Sequence, residues 1–261
     1  MTNEDILRIA MAQSAVDMNC SPSDFDKTEN VIVQSAANDG ARKYLQLPFD
    51  CNLVSYGNNI VASVSPKLLN SVGNYISSCT AYRCFETPDI LAFDEELKNY
   101  GLRVCFMAEY FLPDVNLFRI LPCKYDLKII EPSGFESLYV KEWSNALCKE
   151  RKSLDVLAVG AFDGKKLVGL AGCSADCENM WQIGVDVLPD YRRKGIAAAL
   201  TSKLAKEIFE RGKVPFYCAA WSNIKSVRNA ICCGFRPAWI ELTAKNQEFV
   251  VGLSKVEDEK Q

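Results

Sequence analysis

The stretch Trp181–Arg211 constrains the fold of this chain more than any other. Its first part predicts a strand, because every second residue from Trp181 to Val187 is apolar. Beyond Pro189 the apolar residues recur at helical spacing, as Ile196, Leu200, Leu204 and Ile208. The opposite helix face is predicted to be polar and exposed, with Thr201, Lys203, Lys206, Glu207 and Glu210. The stretch therefore predicts a strand, a short turn and an amphipathic helix in direct succession.

The turn itself is basic and ends in a glycine, as Arg192-Arg193-Lys194-Gly195. The first amides of a helix have no partner within the helix, and the helix dipole is positive at that end. A glycine there allows an anion to approach the backbone. These features favour a phosphate-binding turn, whereas the basic residues alone would also be consistent with a solvated turn.

The absence of histidine excludes several classes of site. The chain has no His among its 261 residues, so Ser–His–Asp and Cys–His catalysis and His-dependent zinc motifs are ruled out. No CxxC pair occurs either, and we expect no metal. The net charge of −3 argues against a nucleic-acid partner, since binding a phosphate backbone requires a basic surface.

The twelve cysteines lie mostly among apolar residues, which favours buried, reduced thiols. The N-terminus is polar and predicts no signal segment, and no apolar run is long enough to span a bilayer. We therefore expect a cytoplasmic protein without a membrane partner.

The remaining sequence predicts an α/β protein in two parts. Residues 1–122 are expected to form an N-terminal α+β domain, with a hairpin between Asn52–Tyr56 and Ile60–Val64. Residues 123–255 predict the element order β-α-β-β-β-α-β-α-β-β. Its first helix is placed, with breaks, at Pro132–Lys149 and its last strand at Glu248–Leu253; a frayed tail follows at Lys255–Gln261.

Two motifs within this order carry a family resemblance. Arg192-Arg193-Lys194-Gly195-Ile196-Ala197 fits the pattern Q/R-x-x-G-x-G/A. Downstream, Asn223 and Ser226 stand at the Asn-x-x-Ser spacing, in a predicted helix that closes with Gly234-Phe235. Residues 125–255 thereby resemble the GNAT superfamily of N-acetyltransferases, and the whole chain is similar, more weakly, to a two-part Firmicute-type GNAT group. The resemblance implies the GNAT acyl-CoA transferase fold, with a mixed sheet, in the C-terminal half.

The resemblance also implies a binding site for acetyl-CoA as cosubstrate. Backbone amides of the turn would hold the pyrophosphate. The strand that contains Val185 and Val187 would pair through its backbone with the pantetheine arm, at the point where this strand splays from the strand Pro215–Trp221. Asn223 also has a structural interpretation as a helix N-cap, and Ser226 as an ordinary surface residue. The residues implied in cofactor binding are Val185, Val187, Arg192, Arg193, Lys194, Gly195, Ile196, Ala197, Ala198, Asn223 and Ser226.

The catalytic groups are less well defined by the resemblance. Ala230 occupies the position at which many GNAT proteins carry a tyrosine that protonates the leaving thiolate. Tyr217 is a candidate substitute, although an aromatic residue on a buried strand is usually part of the core. Glu178 and Asp186 are the candidate bases, and the acids Asp176 and Glu109 stay open.

Three function classes are compatible with these sequence features. The first is an N-acetyltransferase that acts on a primary amine of a small molecule or peptide. The second is a GNAT-fold module that binds acyl-CoA without turnover, which Ala230 permits; a nucleotide-binding structural protein is a third. A homodimer is compatible with each of them.

Overall fold

The computed structural model describes residues 1–258 as a mixed α/β protein. Its α-helices are α1 (Asn3–Met18), α2 (Leu69–Ser78), α3 (Thr87–Lys98), α4 (Ile196–Glu210), α5 (Ile224–Cys232) and α6 (Gln247–Asp258). Its strands are β1 (Val31–Gln34), β2 (Cys51–Ser55), β3 (Val61–Val64), β4 (Leu102–Pro113), β5 (Asp126–Ile130), β6 (Asp155–Asp163), β7 (Lys166–Ser174), β8 (Met180–Val187), β9 (Val214–Ala219) and β10 (Phe235–Asn246). Over these residues no helix combines the length and apolar character needed to cross a membrane.

The strands form one ten-stranded sheet in the order β1-β3-β2-β10-β4-β9-β8-β7-β6-β5. The sheet is mixed, because β1–β3 and β8–β9 pair in parallel while β6–β7 and β7–β8 pair antiparallel. The predicted α/β class and the hairpin between β2 and β3 are both confirmed.

The chain forms two compact units that are discontinuous in sequence. Unit 1 comprises Met1–Ala10 and Tyr110–Ala238, and unit 2 comprises Met11–Glu109 and the chain from Trp239 onward. The sequence analysis instead predicts two domains that are each continuous in sequence, with the boundary between residues 122 and 123. An acceptor-side or accessory role for residues 1–122 stays a prediction.

Helix α4 organises the core of unit 1. Ile196, Leu200, Leu204 and Ile208 are at most 1% exposed, as the helical spacing predicted. The predicted exposed face is only partly correct, because Thr201 is fully buried and Glu207 nearly so. Helix α5 packs near this side of α4, and Asn229 Nδ2 donates to Thr201 Oγ1 at 3.0 Å.

The predicted helix at Pro132–Lys149 is wrong. The segment instead forms short 3₁₀ turns at Pro132–Gly134, Glu136–Leu138 and Lys141–Trp143. Its buried residues, Phe135, Trp143, Ala146 and Leu147, pack with Ala158 and Leu170 of the sheet. Tertiary packing of these irregularly spaced apolar residues therefore decides the local structure.

The predicted strand at Glu248–Leu253 is also wrong, since these residues belong to helix α6. Asn246 Oδ1 accepts a hydrogen bond from the Phe249 amide at 2.8 Å, which is the geometry of a helix N-cap. The tail predicted from Lys255 begins within this helix, and its residues 259–261 lie outside the described residues.

Unit 2 contains a buried ionic cluster. The Arg42 guanidinium is 2.5 Å from Asp17 Oδ2 through Nε and 2.7 Å from Glu241 Oε1 through Nη2. Trp239 Nε1 donates to the same Glu241 oxygen at 2.9 Å. All three charged residues are at most 5% exposed, so their mutual pairing is what makes their burial tolerable.

Candidate functional site: a cleft between two diverging strands

The two parallel strands β8 and β9 separate part-way along their length. They pair from Met180 and Val214 up to Ile183 and Tyr217. On its other edge β8 stays paired with β7 as far as Val187. Val185 and Val187 therefore lie beyond the point of divergence, and the splay expected from the resemblance is confirmed.

The turn after β8 presents backbone amides without a side-chain cap. Gly195 has φ of +77° and is the N-cap of α4, where no side chain caps the first turn. Arg193 also has a positive φ, of +61°. A non-glycine residue in this conformation is uncommon, and it turns the chain sharply into the helix. The resulting helix N-terminus has unpaired donors and a positive dipole end.

A cleft of about 1120 Å³ opens between these elements, within unit 1. From β8 and the turn it is lined by the predicted residues Val185, Asp186, Val187, Arg192, Arg193 and Gly195. From α4 the lining residues are Ile196, Ala197 and Ala198, and from β9 and α5 they are Tyr217, Asn223 and Ser226. The structure thus brings together most of the sequence-predicted site residues.

Four basic side chains line the cleft. Arg192 and Arg193 come from the turn, and Lys225 and Arg228 come from α5. Lys225 was missed from the sequence because the Asn-x-x-Ser motif that contains it specifies only Asn223 and Ser226. Such a set of cations complements a ligand that carries several phosphate charges.

Two residues of the turn differ in orientation. Arg192 Nε donates to the carbonyl of Val187 at 3.0 Å, which keeps its side chain beside the end of β8. Lys194 Nζ instead donates to the carbonyl of Asp190 at 2.7 Å and lies over the Tyr191 ring. Lys194 is not among the cleft-lining residues, so its predicted side-chain contact has no support in this geometry.

Asn223 has the structural role that its sequence position allowed. Its Oδ1 accepts from the Ser226 amide at 3.3 Å, so Asn223 caps α5. Both residues nevertheless line the cleft, where the capped helix end faces the diverging strands. The N-cap role and a ligand contact are therefore compatible.

Tyr217 lies at the last paired position of β9 and lines the cleft. It is 4% exposed, and burial raises the pKa of its phenol, partly offset by side-chain hydrogen bonds with Ser226 and Asn229. The phenol therefore keeps its proton at neutral pH. Ala230, the position expected from the resemblance to carry a tyrosine, is fully buried in the unit 1 core.

Asp186 serves as an anchor for the turn that packs on β8. Its carboxylate accepts from the Asn145 amide at 2.8 Å, from Asn145 Nδ2 at 2.6 Å and from the Ala146 amide at 3.0 Å. The approach is close, because a Cβ at Gly184 would lie 1.8 Å from the Asn145 carbonyl oxygen. A carboxylate engaged in this way positions β8 and is a poor candidate for the base.

Glu178 is not brought to the site. It lies exposed in the turn before β8, and it is absent from the cleft lining. Met180, where β8 begins, is already about 16 Å from Val185 at the usual strand rise. Asp176 is also engaged elsewhere, since its Oδ1 is 3.2 Å from Arg151 Nη1. No group of three or more Cys, Asp or Glu residues within 1–258 could hold a metal ion.

Comparison with known proteins identifies the family. The family described as GNAT acetyltransferase matches residues 95–238, which is more than half of the chain. The chain belongs to the GNAT acetyltransferase family. Enzymes of this family use acetyl-CoA. No curated protein matches the chain significantly.

Solved structures of GNAT proteins resemble the fold at low identity. A GNAT-family acetyltransferase from Novosphingobium aromaticivorans is 19% identical over 55% of this chain and 66% of its own, with a TM-score of 0.40. A GCN5-related N-acetyltransferase-like protein from Streptococcus suis is 23% identical over 59% and 68%, with a TM-score of 0.44. An aminoglycoside N-acetyltransferase in complex with CoA is 16% identical over 45% and 93%, with a TM-score of 0.35. The chain thus spans about two thirds of the length of the first two, slightly less in the first.

The contrast between the two predicted bases can be tested directly. We expect Asp186→Ala to lower the free energy of unfolding by about 2–3 kcal/mol, because it leaves the Asn145 and Ala146 amides without their acceptor. Glu178→Ala is the matched control, and its exposed site predicts a change within about 0.5 kcal/mol. Urea denaturation measures both. Equal stability of the two variants would contradict the anchoring role of Asp186.

Proposed function

We propose that this protein is an acetyl-CoA-dependent N-acetyltransferase that acts on a primary amine of a small molecule or peptide. The observation that carries the proposal is the cleft at the divergence of β8 and β9, directly beside the uncapped N-terminus of α4. A phosphate-bearing thioester fits both halves of this arrangement.

Different groups of cleft residues suit different parts of the CoA molecule. The amides from Arg193 to Ala198 would hold the pyrophosphate, with Arg192, Lys225 and Arg228 supplying further positive charge. Beyond Ile183 the edge of β8 that faces β9 has no strand partner in the described chain. Backbone groups of Val185 and Val187 are therefore available to the amide groups of the pantetheine arm, as in strand addition. Asn223 and Ser226 would lie near the thioester end.

The proposed reaction is direct transfer. The neutral amine attacks the thioester carbonyl carbon, the N–C bond forms, and the C–S bond breaks. Tyr217 donates its phenolic proton to the departing thiolate and regains one from solvent through the hydroxyl of Ser226, which lines the same cleft. The proton of the attacking amine passes to a base that the described cleft does not identify, so water is our proposed acceptor.

Two further parts of the proposal rest on the sequence. In agreement with the weaker resemblance to a two-part Firmicute-type group, we propose that residues 1–122 serve as an acceptor-side or accessory domain. We also keep the cytoplasm as the proposed location and a homodimer as the proposed alternative to a monomer.

Ala230 favours a second candidate function. A GNAT-fold module that binds acyl-CoA without turnover would need the pyrophosphate turn and the open strand edge, but no proton donor. The buried alanine at that helix position is what this alternative would predict.

Thiol release distinguishes the two functions. Purified protein is incubated with acetyl-CoA and a panel of small and peptidyl amines, and free thiol is measured with a colorimetric reagent. We expect amine-dependent release of CoA for at least one acceptor, with the acetylated amine confirmed by mass spectrometry. Calorimetric binding of acetyl-CoA with no release for any amine would favour the binding module.

Gly195→Asp tests the pyrophosphate site itself. We expect the Kd for CoA to rise about 100-fold, because the variant places a negative charge next to the phosphates and strains a residue at φ of +77°. Gly212→Asp is the matched control, since Gly212 has φ of +72° at the opposite end of the same helix. Titration calorimetry measures both. Unchanged affinity in Gly195→Asp would refute CoA binding at this turn.

Tyr217→Phe tests the proposed proton donor. Loss of the hydroxyl should lower kcat about 100-fold and leave the KM for acetyl-CoA nearly unchanged, since the ring still fills its position. Tyr125→Phe is the control, because Tyr125 belongs to the same unit but does not line the cleft. A kcat within twofold of the wild-type value would rule out Tyr217 as the donor.

A further inference from the structure

Two cysteines of unit 2 lie in direct contact at a place unrelated to the cleft. Cys79 is the C-cap of α2, and Cys84 lies in the 3₁₀ turn Arg83–Phe85 that precedes α3. Their Sγ atoms are 2.7 Å apart, although both are free thiols. A disulfide requires a separation of about 2.05 Å, so only a small local movement is needed to form the bond.

A single residue holds both cysteines. The carbonyl of Tyr75 accepts from Cys79 Sγ at 3.3 Å, and the Tyr75 hydroxyl donates to the carbonyl of Cys84 at 2.7 Å. The Tyr75 ring stacks on Phe93 with centroids 4.1 Å apart and planes at 5°. Because Tyr75 is fixed by this stacking, the two sulfurs are held near each other in the reduced protein.

The two thiols differ in accessibility. Cys84 is fully buried, and burial together with its hydrogen bond to the Cys79 sulfur raises the pKa of its thiol. Cys79 is only partly buried. An oxidant from solution therefore meets Cys79 first, and Cys84 is placed to react second.

We propose that Cys79 and Cys84 form a reversible disulfide, with a low-molecular-weight disulfide as the oxidant. The Cys79 thiolate attacks one sulfur of the oxidant, breaks its S–S bond and releases one thiolate. The Cys84 thiol then loses its proton to the released thiolate, and its sulfur attacks the Cys79 sulfur, forms the intramolecular bond and expels the second thiolate. The protein loses two electrons and two protons, and the oxidant becomes two thiols.

The bond would join the end of α2 to the turn that leads into α3. It closes a ring over residues 79–84, so it restricts the unfolded chain locally and fixes the approach to Thr87, where α3 begins. Both cysteines lie in unit 2, and neither lines the proposed CoA cleft.

Peptide mapping tests the proposal. Wild-type protein is incubated with oxidised glutathione, free thiols are blocked with N-ethylmaleimide, and the denatured chain is digested with trypsin. Arg83 lies between the two cysteines, so the disulfide would link peptides 68–83 and 84–98. If cleavage at Arg83 is blocked in the small ring, peptide 68–98 would be recovered lighter by two hydrogen atoms. We expect the loss of two of the twelve titratable thiols, reversed by dithiothreitol.

Single substitutions test the proposed order of reaction. Cys84→Ser should accumulate a glutathione adduct on Cys79, whereas Cys79→Ser should leave Cys84 free. Cys105→Ser, a partly buried cysteine elsewhere in unit 2, is the matched control and should retain the link. Circular dichroism verifies that each variant folds. If Cys84→Ser does not fold, Cys79→Ser alone tests the proposal. Unlinked peptides in oxidised wild-type protein, or glutathione adducts on both cysteines, would overturn the proposal.

Discussion

The end of the pairing between β8 and β9 is the feature on which the rest of the site depends. Two parallel strands with continuous hydrogen bonds would leave no room between them, whereas these two part after Ile183 and Tyr217. Contacts on the opposite edge and on one face of β8 keep this strand extended beyond that point. It stays paired with β7 up to Val187, and Asp186 anchors the turn at Asn145 and Ala146 on one face. The cleft is therefore built from a strand that is rigid although one of its edges is open.

The turn that we propose as the phosphate site is held in place by the helix that follows it. The buried side chains from Ile196 to Ile208 fix α4 against the core of unit 1, so its first amides cannot move away from the end of β8. The positive φ values of Arg193 and Gly195 are the conformational cost of placing these amides so close to the strand. Donors that are fixed before a ligand arrives lose little entropy on binding it.

Sequence reasoning succeeded where the relevant interactions are local. Alternating residues located β8, helical spacing located α4, and Gly195 marked the turn between them, because each of these signals lies within a few adjacent residues. It failed where contacts between residues far apart in the sequence determine the role or the burial of a side chain. The three donors to Asp186 come from residues 40 and 41 positions earlier, so the sequence could not separate an anchor from a base. Thr201 likewise looked exposed because its partner Asn229 lies on another helix.

The prediction of a strand at Glu248–Leu253 failed for a different reason, because the sequence pattern of this segment is ambiguous. Phe249, Val251 and Leu253 alternate as strand residues do, yet the segment is helical and all three are exposed. The decisive residue was Asn246, whose side chain caps the first turn of α6. A short apolar alternation without a buried face is thus weaker evidence than one well-placed cap.

Tyr217 lies on a different element from the position at which the resemblance places a tyrosine, which is Ala230 on α5. Helix α5 and strand β9 border the same cleft, and Tyr217, Ser226 and Asn229 all line it. In our proposal a phenol on β9 therefore serves in place of one on α5. The replacement also has a packing reason, because position 230 is fully buried next to Cys233 and Phe235 in the unit 1 core. In our proposal the core gains a small, well-packed residue at Ala230, while the proton donor sits on the strand that defines the apex of the cleft.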